Sequence, residues 1–139
     1  MKQAVTQIRV QTRGKGLYPI TGEIARWVAC QKLATGLLTV FVQHTSASLV
    51  VQENADPDVV RDLDDFFERI APENDALYRH TIEGPDDMPA HVKTALTQTT
   101  LTVPVASGKL MLGTWQGIYL FEHRRRPHAR SIVVHVVGE

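Results

Sequence analysis

Apolar and polar side chains alternate through "QAVTQIRVQTR", residues 3–13, and this period of two predicts a first strand with one face buried. "LYPIT", set off by Gly14 and Gly16, predicts a short second strand. The period then lengthens. Ile24, Trp27, Val28 and Gln31 fall three and four residues apart, which predicts a helix over "GEIARWVACQKLA", N-capped by Thr21 and ending near Gly36. The β-branched run "LLTVFVQ", residues 37–43, predicts a buried strand, with "SLVVQ" as its hairpin partner or its continuation past a bulge.

Asp56-Pro57 is a helix start: the carboxylate caps free N–H groups, and proline gives up an N–H that the first turn does not use. Behind it Val59, Leu63, Phe66, Phe67 and Ile70 form one apolar stripe, so residues 57–70 are predicted as an amphipathic helix. Asp58, Asp62, Asp64, Asp65 and Glu68 then mark its solvent side, and Asp56 is read as a cap. "DDMPAHVKTALTQ" repeats the signature and predicts a shorter helix from about Met88. "TLTVPV", "KLMLGTWQGIYLFEHR" and "SIVVHVVG" predict three or more further strands. Strands at both ends with about three helices between them imply an α+β fold. It is one domain over residues 1–139, a largely antiparallel sheet or sandwich.

Composition changes this picture little. Hydrophobic residues make up 43% and charged residues 22%, as in ordinary soluble domains. No apolar run approaches 18 residues and no basic-then-apolar leader is visible, so neither a membrane span nor a signal peptide is expected. The single Cys30 cannot form an internal disulfide, which suits a reducing, cytoplasmic setting, and its place in the helical pattern predicts a buried small hydrophobe.

Charge is more informative. The net charge is zero, yet twelve of the fifteen acids lie between Glu53 and Asp87, while Arg124, Arg125, Arg126 and Arg130 gather near the end. "HRRRPHAR" can be read as a nucleic-acid patch, but no aromatic interleaves with its arginines. A solvated loop or an anion clamp is the better reading, with no nucleic-acid partner expected.

Three stretches carry candidate chemistry. Alternation along "LLTVFVQHT" puts Val40, Val42 and His44 on one face, so His44 stands where an apolar face meets its edge. Thr45, Ser46 and Ser48 follow as short donors that can hold an anion or satisfy a turn. "YRHTIEGPDDMPAH" packs His80, Glu83, Asp86, Asp87 and His91 around a Gly84-Pro85 turn. Two imidazoles beside carboxylates suit zinc or a similar divalent ion, although the spacing is not that of a standard zinc motif. Asp87 can instead cap its own helix. In "GTWQGIYLFEH", Gly113 and Gly117 suggest bulges or a close backbone approach. Trp115 and Tyr119 are expected to pack; Gln116 and Glu122 share a strand face; His135 is read as structural. The sequence lacks GxSxG, P-loop, CxxC and dinucleotide-binding signatures.

Taken together and in this order, "HTSASLVVQENADPDV", "RHTIEGPDDMPAH" and "GTWQGIYLFEHR" closely resemble the YjbQ-like family, and the likeness extends from "TRGKGLYPIT" to the β-rich end. The resemblance implies a β-sandwich, a homotrimer, and thiamine-phosphate synthase activity as a secondary function. That reaction joins a hydroxymethylpyrimidine diphosphate to a thiazole phosphate and releases pyrophosphate. Its charge demands a divalent ion, zinc or magnesium, with basic side chains. On this reading His44, His80 and His91 hold the ion, Asp87, Glu122 and Gln116 are candidate catalytic residues, and Thr45, Ser46 and Ser48 donate to phosphate. The alternative is a non-catalytic trimer that binds a metal or an anion through the same residues. The arginine-rich "EHRRRPHAR" turn is the main departure from the family pattern.

Overall fold

The computed structural model describes residues 1–139. In chain order the elements are β1 (Lys2–Gln11), β2 (Gly16–Pro19), α1 (Thr21–Cys30), β3 (Thr35–Val42), β4 (Ala47–Glu53) and α2 (Pro57–Ile70). A 3₁₀ turn (Asp75–Leu77) follows, then α3 (Asp87–Leu96), β5 (Thr100–Ala106), β6 (Lys109–Leu110), β7 (Gln116–Glu122) and β8 (Ala129–Gly138). A five-stranded sheet runs β1-β8-β3-β5-β6 and a three-stranded sheet runs β2-β7-β4, with antiparallel pairing throughout. The α+β reading, with three helices and mainly antiparallel strands, is what the protein adopts.

Alternation decides which residues meet between the sheets. Leu38, Val40 and Val42 of β3, Ile132, Val134 and Val136 of β8, and Leu101, Val103 and Val105 of β5 face Leu49 of β4 and Ile118 and Leu120 of β7. Ile24 and Val28 of α1 join this core. Burying each such side chain contributes about 1.5–3 kcal/mol before chain entropy is set against it.

The helix starting at Pro57 has the predicted bounds, and Asp56 Oδ1 accepts the Asp58 N–H at 2.9 Å. Its apolar stripe is only half covered, however: no residue of α2 is buried, and Phe66 and Ile70 are exposed. Four expectations are corrected. The N-cap position of α1 is Ile20; the Thr21 hydroxyl instead accepts the Ile118 N–H at 2.8 Å, tying the helix to β7. Helix α1 stops at Cys30, which is exposed and not buried, because Lys32 adopts a positive φ of 54° and turns the chain. Gly36 therefore lies inside β3, where a Cβ would come within 2.7 Å of the Val137 carbonyl oxygen. Finally, β4 is neither a hairpin partner nor a continuation of β3. Residues 43–46 cross from one sheet to the other, and β4 pairs with β7. That crossing places the polar segment after β3 at one end of the sandwich. No helix is long and apolar enough to cross a membrane.

Candidate functional site

The end of the sandwich is organised by an ion pair in line with the core. On β7, Ile118, Leu120 and Glu122 share a face, and on β8 Arg130 shares one with Ile132 and Val134. Glu122 is fully buried and Arg130 is 3% exposed, so the apolar stack terminates in a carboxylate and a guanidinium. Glu122 Oε1 accepts from Thr12 Oγ1 at 2.7 Å and Arg130 Nε at 2.8 Å. Its Oε2 accepts from Arg130 Nη2 at 2.5 Å and from the backbone N–H groups of His123 and Arg124. Every favourable direction around the carboxylate is filled, as a buried charge requires. Arg130 also donates to Ser46 Oγ at 3.0 Å.

Because Glu122 holds the backbone of residue 124, the Arg124 side chain is aimed at the start of α3. Its Nε donates to Asp86 Oδ2 at 3.0 Å, its Nη1 to Asp87 Oδ1 at 2.5 Å and its Nη2 to the Glu83 carbonyl at 3.0 Å. The Arg125 N–H adds a bond to Asp86 Oδ2 at 2.9 Å. The anion clamp read in the arginine stretch thus closes on the protein's own carboxylates. Burial works against ionised Asp86, but the Arg125 N–H and Arg124 outweigh it and hold its carboxyl below the ordinary value. At Asp87 burial is likewise overcome, by the His80 hydrogen bond and the charge of Arg124, and its carboxyl is also lowered.

Asp87 does not cap α3; its side chain faces two imidazoles. The Gly84 backbone, with φ of 105°, turns the chain so that His80 comes back over the helix start. His80 Nε2 lies 2.7 Å from Asp87 Oδ2, and His91, one helical turn on, has Nε2 3.1 Å from the same oxygen. One ligand atom from each of His80, Asp87 and His91 falls within 4.8 Å of the others. The His91 Nδ1 donates to the Thr45 carbonyl at 2.9 Å. A carbonyl oxygen only accepts, so in the neutral ring Nε2 carries a lone pair that faces the lone pairs of Asp87. A cation between these atoms turns that contact from repulsive to attractive. Two imidazole nitrogens and a carboxylate oxygen are also a donor set that suits zinc-like ions. The residues fit a divalent ion.

The other candidate residues divide. His44 stands outside this group: its Nε2 accepts the Ser131 N–H at 2.8 Å, and burial and nearby Arg130 depress its pKa. Its free nitrogen is Nδ1, and with Thr45 and His91 it borders an open groove lined by Thr94, Thr97, Gln98, Thr99 and Thr100. Ser46 and Ser48 are buried and bonded internally, to Arg130 and to His123 Nε2. Gln116 opens β7 while Glu122 ends it, roughly 20 Å away along the strand. Its Oε1 accepts the Gly113 N–H at 2.7 Å and closes the turn before β7. Trp115 is exposed, and His135 bonds Gln3 on the sheet's outer face. Sequence reasoning placed Asp86 among the candidate carboxylates and the arginines in a solvated loop or anion clamp, but gave none of Asp86, Arg124 and Arg130 a named partner. Arg130 had a signal, since it continues the buried alternation of β8.

Residues 6–139 match the family model described as UPF0047 protein YjbQ-like. A UPF0047 protein of Synechocystis is 54% identical over 130 residues, covering 94% of this chain and 88% of its own. UPF0047 protein YjbQ of Escherichia coli O157:H7 is 41% identical, covering 95% and 96%. The crystal structure of an uncharacterised YjbQ/UPF0047 protein from Clostridium acetobutylicum superposes with a TM-score of 0.86 at 33% identity, covering 95% and 99%.

Proposed function

The chain belongs to the UPF0047 YjbQ-like family, and within it we propose a metal-dependent enzyme acting on a phosphorylated small molecule, with thiamine-phosphate synthase activity as a secondary capability. The observation that carries the reading is the convergence of His80 Nε2, Asp87 Oδ2 and His91 Nε2, with the His91 ring fixed so that its lone pair points at a carboxylate. His80, Asp87 and His91 would hold a divalent ion, zinc or magnesium. Such an ion, when bound, supplies charge neutralisation to a departing pyrophosphate.

The chain's own groups do the remainder. Arg124 holds Asp87 in its ionised form and orients it toward the histidines. Arg126, exposed beside Gly84, Pro85 and Arg124, borders a depression with Arg125 that can take a phosphate group. The neutral hydroxyl-rich groove between His44 and His91 offers donors and acceptors for the uncharged part of a substrate. His44 and Thr45 belong to this substrate wall, while Ser46 and Ser48 are held inside the fold by Arg130 and His123.

A homotrimer is part of the proposal. Its support is the outer face of the five-stranded sheet, where Val5 and the larger Leu37 and Phe41 stay exposed around His135. A cytoplasmic location is also part of it, in keeping with an exposed, unpaired Cys30.

The test is metal analysis of purified protein together with turnover of a hydroxymethylpyrimidine diphosphate and a thiazole phosphate, with and without zinc or magnesium. Metal-dependent turnover lost on His80→Ala supports the proposal. Stoichiometric metal with no turnover of any phosphorylated substrate favours the non-catalytic metal-binding trimer. Absence of metal after zinc supplementation overturns both.

A further inference from the structure

A second cavity lies on the other face of β7, away from the core. There Phe121 and His123 point outward under α2, and Phe67 meets Phe121 edge-on at 5.4 Å between ring centres. Lys15, Asp64, Glu68, Lys93 and Arg125 complete a cavity of about 330 Å³, at the small end of ligand sites.

Its charges are arranged unusually. Lys93 is 3% exposed and reaches from α3 to Glu68 Oε1 at 2.6 Å. Lys15 reaches the same oxygen at 2.8 Å and Glu73 Oε1 at 2.6 Å, and Arg125 pairs with Glu73 Oε2. A buried ammonium needs an anion. Here that anion comes from Glu68, whose side chain is 43% exposed, on a helix none of whose residues is buried. Buried Lys93 and half-buried Lys15 belong to the body of the protein, whereas the carboxylate they share belongs to a helix with no buried residue. His123 adds a further polar group: Ser48 Oγ lies 2.9 Å from its Nε2, and its Nδ1 has no protein partner. The ring is neutral, since burial first and then the neighbouring cations hold its pKa down to about 3.

We propose that this cavity binds a phosphate monoester dianion, with Lys15, Lys93 and Arg125 as its cationic donors and the Glu68 carboxylate as the group it displaces. Once α2 withdraws Glu68 and Asp64, two carboxylates remain, Glu73 and Glu122; Arg130 neutralises Glu122, so Lys15, Lys93 and Arg125 face Glu73 alone, and the difference of two positive charges matches a dianion and not a monocarboxylate. Phe67, half-buried and backed by the buried rings of Phe121 and His123, suits an aromatic group on the ester. This site is distinct from the His80–Asp87–His91 cluster, and its test does not depend on a metal.

Calorimetric titration with phenyl phosphate decides it, with benzoate as the monoanion control. The expected result is binding that tightens about tenfold in Glu68→Gln, because a built-in competitor loses its charge. Lys15→Met and Lys93→Met should each weaken it about tenfold or more, and benzoate should bind far more weakly. His80→Ala, which removes a proposed metal ligand, should leave phenyl phosphate binding in place. No binding by Glu68→Gln, equal affinities in the wild type and Glu68→Gln, or binding lost on His80→Ala but retained in Lys15→Met would each overturn the proposal. Lys15→Met keeps the test decisive if Lys93→Met fails to fold.

Discussion

His91 Nε2 stands 3.1 Å from Asp87 Oδ2 while the Thr45 carbonyl accepts the ring's single N–H, on Nδ1, so two lone-pair atoms are pointed at each other across one helical turn. Local helix geometry supplies the approach, since residues four apart share a face. Only the loop after β3, forty-six residues away, fixes which nitrogen faces the carboxylate. An ion between them is the economical use of that arrangement.

Single changes at His80, Asp87 or His91 should therefore abolish stoichiometric zinc while leaving the circular dichroism spectrum intact. His44→Ala should retain the metal, because the His44 Nε2 bond goes to Ser131. Elemental analysis of the four purified variants checks this, and metal loss in His44→Ala alone would remove the cluster from consideration.

Glu122→Gln is expected to cost about 3–5 kcal/mol in denaturant unfolding, because it leaves buried Arg130 facing a neutral group. Thr12→Val removes one hydroxyl donor to the same carboxylate and the acceptor of the His128 N–H, and should cost less, about 2 kcal/mol. Comparable costs for the two would mean that the ion pair is not what holds this end of the sandwich.

Asp56→Ala should lower stability by about 0.5–2 kcal/mol through loss of the bond to the Asp58 N–H, with metal content unchanged. A fall in metal content at constant stability would assign Asp56 to the site.

His123 makes stability pH-dependent on the acid side. Its folded pKa of about 3 lies below the unfolded value near 6.5, so above 6.5 neither state is protonated and there is no penalty. As pH falls from 6.5 toward 3 the unfolded chain takes up a proton that the folded protein refuses. This ring should remove about 1.4 kcal/mol of stability per pH unit across the lower part of that window. Unfolding titrations from pH 7 to pH 4 on the wild type and on His123→Asn measure the contribution; identical slopes would contradict a buried neutral ring.

The sequence by itself determined what depends on neighbours along the chain. The period of two in "QAVTQIRVQTR" and the run "LLTVFVQ" became strands, and Asp56-Pro57 started a helix ending at Ile70, because alternation and capping are satisfied within a few residues. The pair Asp87 and His91 was legible for the same reason, being one turn apart, and His80 because only a Gly-Pro turn intervenes. Tertiary structure decided the rest. Whether Cys30 is covered, whether Gly36 ends a helix or passes close to β8, and which sheet receives β4 all depend on partners more than thirty residues away or on the packing around them. Ser46 and Ser48 read as free donors because their partners, Arg130 and His123, lie more than seventy residues further on. Arg124 read as part of a solvated loop or an anion clamp, with no partner legible; in the fold Glu122 fixes its backbone and Asp86 and Asp87 take its charge. Charge and hydrogen-bonding capacity are written in residue types, but whether a group is spent inside the fold or left to meet a ligand is a question of distance that only the folded chain answers.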